Sequence, residues 1–233
     1  IKHELGEYFW LVRLGGVNFM AISEDSIDPE EPIDRIREIV RETYHMYQLS
    51  IVYPCSIGVM KCPRDGTDSD ELLKNAEIVL KHADELPGQK YVEFTKDMEE
   101  SYCYAVDLGL ELNRCINNNF ENFRLVVQPQ VNTPDGRIVG GEVLCRWKYK
   151  GEEISPSVFI PILEKTGLII PTGKWIVSQA VEICSRILEY MPEFRLSFNV
   201  SYLQVTDETF FPFIRDALEK NHVPGGNMIV ELT

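Results

Sequence analysis

Along Gly136 to Trp147 the side chains sort into two sets. Val139, Val143 and Trp147 fall on one side of an extended chain, and Ile138, Glu142, Leu144 and Arg146 on the other. The period of two predicts a strand that carries a carboxylate, an apolar side chain and a guanidinium on a single face. Neither charge sits cheaply on an apolar strand unless it is paired. Two readings stay open: an ion pair between Glu142 and Arg146, or a metal ligand beside a phosphate clamp.

The same patterning divides the rest of the chain. Phe9-Trp10-Leu11-Val12 and Phe19-Met20-Ala21-Ile22 flank Gly15-Gly16 and predict a hairpin. Ile33, Ile36, Val40 and Tyr47 follow a helical period, and Ile51 to Met60 reads as a strand. Asp68-Ser69 can cap a helix with Asp70 and Glu71 in its first turn and Leu72, Leu73, Ala76, Leu80 and Ala83 as its buried stripe. Pro87-Gly88 stops it, and Tyr91 to Phe94 forms another strand. The result is an α/β layer unit.

From Asp97 to Asn119 the positions Met98, Tyr102, Ala105, Gly109, Leu112 and Ile116 trace one seam of a helix. That seam fits a connecting helix packed on its neighbours or a dimer coiled coil. Beyond it, strands (Leu125 to Val131, Arg137 to Trp147, Arg195 to Ser201, Met228 to Leu232) alternate with helices (Ser157 to Thr166, Lys174 to Tyr190, Asp207 to Asn221). Such alternation predicts parallel strands with right-handed crossovers. Lys148 to Gly151 reads as an exposed turn.

Charge narrows the function classes. With 23 Lys and Arg against 37 Asp and Glu, the 233 residues carry a formal net charge of −14. A general nucleic-acid or anionic-membrane surface needs a basic footprint, so a phosphate ligand has to be held by local groups or by metal ions. The six cysteines form no CxxC pair and read as reduced thiols. No stretch is long and apolar enough to span a bilayer, so a cytoplasmic location is expected, unless the parent protein is tethered by segments outside this chain. The chain opens on Ile1 and closes on Glu231-Leu232-Thr233 at the end of an apolar strand, which suggests a piece of a longer protein.

Two groups of motifs, in order, resemble a tandem of signalling domains. Arg13-Leu14-Gly15-Gly16-Val17-Asn18-Phe19, then Ser56-Ile57-Gly58-Val59 and the helix Leu72 to Asp84, resemble the second part of a GGDEF domain, the fold of bacterial cyclic di-GMP synthases. Gln128-Pro129, Glu142 to Trp147, Phe159-Ile160-Pro161, Gly167-Leu168-Ile169, Ser197 to Ser201 and Val230 to Thr233 resemble the first part of an EAL domain, the matching phosphodiesterase. The resemblance implies a partial GGDEF α/β sandwich over 1–96, a connecting helix over 97–122, and over 123–233 the first half of a TIM-like (β/α) barrel.

It also implies which chemistry is lost. Active GGDEF domains carry metal-binding acids at the third and fourth motif positions, where this chain has Val17 and Asn18. Val17 offers no ligand atom and Asn18 only a neutral one, so cyclase activity is not expected. Gly6 and Phe9 stand where the family's inhibitory site has Arg and Asp, and Asp84 replaces a lysine. A retained GTP-sensing pocket and a scaffold or dimer role are the readings left for this half.

The EAL half departs less: Val143 replaces the motif's Ala, a small apolar change. The resemblance implies that Glu142, Asn199 and Glu231 are metal ligands, with Glu142 and Glu231 catalytic, that Arg146 contacts a phosphate, and that Gln128 and Leu144 help hold the dinucleotide. Hard oxygen donors suit Mg²⁺ or Mn²⁺. A full (β/α)₈ barrel takes about 250 residues, and Phe123 to Thr233 is under half of that. The expected function is a metal-dependent cyclic di-GMP phosphodiesterase in the parent protein, with the isolated piece largely inactive. The alternatives are an inactive cyclic di-GMP or GTP sensor or scaffold acting through protein partners, and a homodimer or regulatory partner is compatible with each.

Overall fold

The computed structural model describes residues 9–23, 28–46, 55–86 and 88–233. The chain divides into two units, one ending at Cys103 and the other starting at Tyr104.

In the first unit β1 (Trp10–Gly15) and β2 (Asn18–Ile22) form the expected antiparallel hairpin. Its turn lies at Gly16-Val17, where Gly16 takes a φ of 53° and its carbonyl accepts from Arg13 Nε and Nη2 at 3.2 and 2.8 Å. Helix α1 (Glu30–Met46) begins with Glu30 and Glu31, whose charges favour a helix N-terminus, and buries Ile33. The strand expected over Ile51 to Met60 is described only from Cys55, where Gly58–Val59 forms β3; Gly6, Tyr47 and 51–54 lie outside the described residues. β3 pairs in parallel with β4 (Val92–Glu93).

Asp68 caps α2 (Ser69–Asp84) as its sequence predicts, its carboxylate accepting from the N–H groups of Asp70 and Glu71. The buried stripe is rotated from the expected one. Ile78, Val79 and Ala83 pack with Val92 and Phe94, Asn75 is buried, and Leu73 is exposed. Asn75 points inward because its Nδ2 donates to Asp65 O at 2.9 Å, tying the helix to the preceding loop.

Helix α3 (Lys96–Asn117) contains the division between the units. Met98 packs with the first unit's core, and Leu108, Leu112 and Cys115 are fully buried in the second's. The seam is centred on Leu108, Leu112 and Cys115, with Ile116 packed beside them and Gly109 half-buried, and Tyr102 is exposed.

The second unit is built on one mixed sheet. β5 (Phe123–Val131) pairs antiparallel with β6 (Ile138–Tyr149), β6 pairs antiparallel with β7 (Glu152–Ile154), and β6, β8 (Arg195–Val200) and β9 (Met228–Leu232) run parallel. The expectation of parallel strands throughout is thus corrected for β5 and β7. A short loop returns β5 to β6 and a two-residue turn returns β6 to β7, and neither leaves room for a crossover. In that second turn Lys150 and Gly151 both have positive φ, 51° and 86°, as a tight hairpin requires.

Helices α4 (Pro156–Lys165), α5 (Ile169–Leu188) and α7 (Phe210–Lys220), with the short α6 (Tyr202–Val205), complete the unit. α5 starts five residues before the expected Lys174, because Pro171 falls in its first turn, where no backbone donor is needed. The sheet order β5-β6-β8-β9 leaves β5 and β9 as edges, so the strands form an open sheet rather than a closed barrel among the described residues.

One sheet face is sealed. Val143, Leu196, Phe198 and Val200 pack on Val177 and Val181 of α5 and Phe210 of α7, and Trp147 packs with Leu112, Phe159 and Leu163. The expected division of β6 follows, with Val143 and Trp147 on this face and Glu142, Leu144 and Arg146 on the other.

Candidate functional site

The face opposite the helices gathers the polar residues. In the β5–β6 register Gln128 lies directly across from Glu142, and Arg124 from Arg146, so each pair shares a face. In the parallel pairs Glu142 is level with Ser197, and Asn199 with Glu231. Asn199 Nδ2 donates to Glu142 Oε1 at 2.7 Å. The carboxylate of β6, the carboxamide of β8 and the carboxylate of β9 therefore stand on three adjacent strands, whose spacing is about 4.8 Å. All three are half-buried, and Gln128 is exposed beside them.

The bond from Asn199 bears against the ion-pair reading of β6. Among the described residues no ion pair joins Glu142 to Arg146. Glu142 turns to Asn199, and Arg146 Nη1 donates to the carbonyl of Cys145 at 3.0 Å. The guanidinium thus lies on the face that bears Glu142, with no carboxylate pairing with it among the described residues. Leu144 is half-buried between the two, opposite Val126.

The end of β8 is locked by groups that sequence reasoning passed over. Ser201 begins α6 with a capping box: its hydroxyl accepts from Leu203 N, and Gln204 Oε1 accepts from Ser201 N at 2.8 Å. Gln204 Nε2 also donates to Ile169 O at 3.2 Å, which joins this turn to the start of α5. Gly173 makes the room, since a Cβ there would lie 1.5 Å from Gln204 Nε2. The S-x-x-Q spacing is readable in the sequence, but the strand expected over Arg195 to Ser201 runs through its serine. Ser197 lies on the face of Glu142 and Asn199, buried, with its hydroxyl turned to Gly141 O at 3.5 Å.

Arg124 was also overlooked. Its phase matches that of Gln128, four residues on, but without the antiparallel register nothing in the sequence aligns it with Arg146.

Among the described residues no three His, Cys, Asp or Glu side chains cluster closely enough to hold a metal ion. Glu142 and Glu231 supply two carboxylates, and any third protein donor in the row is the Asn199 carboxamide. In the first unit, Val17 stands at the tip of the hairpin, 89% exposed, and Asn18 opens β2. No described helix is long and apolar enough to cross a membrane.

Comparison with known proteins bears on the same strands. The EAL domain family matches residues 111–233, which hold every strand of the mixed sheet. Over 96% of its length the chain is 28% identical to the bifunctional diguanylate cyclase/cyclic di-GMP phosphodiesterase MucR of Pseudomonas aeruginosa, covering 33% of that protein. It is 26% identical, again over 96% of its length, to the cyclic di-GMP phosphodiesterase PdeR of Escherichia coli, covering 34% of it. The chain thus spans about a third of the length of these relatives. Among solved structures, the EAL enzyme Bd1971 in its cAMP and cyclic-di-GMP bound form matches with a TM-score of 0.53 and 26% identity, over 72% of this chain and 45% of that one. Because the family match covers more than half of the chain and runs through the three strands that carry Glu142, Asn199 and Glu231, this chain belongs to the EAL domain family.

Proposed function

We propose that the protein containing this chain hydrolyses cyclic di-GMP to the linear dinucleotide pGpG, and that the open face of the sheet supplies the first metal ligands and the phosphate clamp. The observation that carries this reading is the 2.7 Å contact between Asn199 and Glu142, with Glu231 level with Asn199 on the next strand. It supports a single row of oxygen donors in which Glu142 and Glu231 are catalytic and all three are metal ligands.

The donor chemistry fits one Mg²⁺ or Mn²⁺ ion. With Nδ2 turned to Glu142, the Oδ1 of Asn199 is left as a hard neutral donor between two carboxylates. A cation of this kind takes one or two carboxylates and fills its remaining positions with water and substrate phosphate, and two negative charges balance one dication. When bound, such an ion lowers the pKa of a coordinated water and stabilises charge on a phosphoryl oxygen. The chain's own groups orient the substrate. Arg146 offers its planar fork to a phosphodiester, Leu144 gives an apolar contact, and Gln128 has amide donors and acceptors for a base edge.

Residues 1–96 are read as a degenerate GGDEF domain in a regulatory role, 97–122 as the connecting helix, and 123–233 as the N-terminal half of the EAL barrel. The exposed Val17 at the hairpin tip supports the loss of cyclase chemistry, because it puts a methyl-bearing side chain where a metal would need oxygen.

The test uses the full-length protein with cyclic di-GMP and Mn²⁺, followed by chromatography of the nucleotides. Wild type should yield pGpG, and Glu142→Gln should lose at least a hundredfold in rate, the scale of removing a charged transition-state contact. Unchanged cyclic di-GMP with both proteins removes the enzymatic reading. If calorimetry then still detects binding, the chain is a sensor; if it does not, a structural role is left.

A further inference from the structure

The open face carries a second cation whose role the site above does not use. Arg124 lies directly across from Arg146 in the β5–β6 register, and Lys148 directly across from Glu153 in the β6–β7 register. All four side chains share the face that bears Glu142. In a chain of net charge −14, this end of the sheet gathers three cations and one carboxylate. Like charges directly opposite one another on a sheet are unfavourable, so the pairing of Arg124 with Arg146 calls for a compensating anion. In the structure Glu153 provides it: Arg124 Nη2 reaches across β6 to Glu153 Oε1. Among the described residues Arg146 receives none, and its Nη1 bonds to its own strand's Cys145 carbonyl.

The Arg124–Glu153 pair is also weakly held. The two side chains are 50% and 43% exposed, and an exposed ion pair of this kind contributes little to stability. A ligand phosphate arriving at Arg146 is a stronger competitor for Arg124 than a solvated carboxylate, because two guanidinium forks can then share one anion.

We propose that Arg124 is a second phosphate-contacting residue, held by Glu153 in the absence of ligand and released from it to join Arg146 when a phosphodiester binds. Glu153 then sets affinity by competing with the ligand for Arg124. The assignment rests on the reading of this face as a cyclic di-GMP site.

The test is calorimetric titration of cyclic di-GMP into the full-length protein with EDTA present, which prevents metal-dependent turnover. Arg124→Gln should weaken binding about tenfold, and Glu153→Gln should tighten it several-fold. In the double variant the effect of Glu153→Gln should vanish, since the competitor acts only through Arg124. Thermal unfolding separates this from a merely structural pair. Both single variants break the same contact and should lower stability by similar small amounts, so opposite signs in binding cannot come from the fold. The proposal is overturned if both variants shift binding in the same direction, if Arg124→Gln leaves it unchanged, or if Glu153→Gln tightens it equally with and without Arg124. In each of those results wild type still binds and the broader reading stands. If neither wild type nor any variant binds, the cyclic di-GMP reading falls and this assignment falls with it.

Discussion

The two faces of the mixed sheet differ by one residue in register and by everything in environment. On β6, Val143 and Trp147 are 3% and 0% exposed under the helices, whereas Glu142, Leu144 and Arg146 are half-buried on the opposite face. On β8, Leu196, Phe198 and Val200 are sealed while Asn199 turns to Glu142. A strand alternates its side chains strictly, so the packing that fixes the apolar set also fixes the polar set. The hydrophobic core thereby acts as the positioning device of the site. Glu142, Asn199 and Glu231 need few partners of their own, because Val143, Phe198 and Val200 hold their strands.

That comparison predicts large stability effects on one face and small ones on the other. Trp147→Ala removes a fully buried indole in contact with Phe123, Tyr149 and Phe159. It should cost about 3 to 5 kcal/mol, read as a fall in the urea midpoint. Phe198→Ala should fall in the same range for the same reason. If either variant unfolds at the wild-type midpoint, the helices do not seal the sheet as described. Gly173→Ala comes next, at about 1 to 3 kcal/mol, the range for an overpacked interior, because its methyl would occupy the place of Gln204 Nε2. Adding Gln204→Ala should restore part of that loss. A double variant no better than Gly173→Ala would mean that the Gln204 side chain is not what fills the space.

The sequence revealed far more of the helix face than of the site's partners. Apolar alternation located β5, β6, β8 and β9, and the phase of Glu142, Leu144 and Arg146 on β6 followed from Val143 and Trp147. Strand direction was not legible, since a period of two is the same in parallel and antiparallel strands, and only loop length tells β5 from β8. β7 was missed because Glu152-Glu153-Ile154 is three residues long and charged. On α2 the period was right and the phase only partly so: Ala83 is buried as expected, whereas Leu73 is exposed and Asn75 is drawn inward by its bond to Asp65 O. The Asn199–Glu142 contact depends on strand order, which no local pattern encodes; the resemblance implied only that both residues serve one site.

On the open face, Glu142→Gln should change stability by less than about 1 kcal/mol, since a half-exposed acceptor is replaced by another acceptor for Asn199. Divalent-metal affinity, followed by calorimetry with Mn²⁺, should nevertheless fall at least tenfold. A variant as destabilised as Phe198→Ala would show that Glu142 belongs to the structural face after all. Loss of the Asp68 cap in the first unit gives a scale for this: Asp68→Ala should cost about 1 kcal/mol.

The smallest effect tests the boundary between the faces at Cys145, whose neighbours Leu144 and Arg146 both lie on the open side. Burial pushes the Cys145 thiol up to about 12, against a weaker opposing pull from Arg146. All six cysteines are free thiols, and those of Cys115 and Cys184 are also raised by burial, while Cys62 and Cys103 are exposed. The thiolate is the reactive form, and a thiol with a pKa near 12 is ionised to roughly one part in ten thousand at pH 8. Timed alkylation at pH 8 with mass-spectrometric readout should therefore modify Cys62 and Cys103 first and leave Cys145 intact until the protein unfolds. Raising the pH toward 12 should favour unfolding, because the unfolded chain releases this proton near 9 while the folded chain retains it. Early labelling of Cys145 in folded protein would mean that β6 rotates its odd-numbered residues out from under the helices, and the face that carries Glu142 and Arg146 would then lose the packing that aims it.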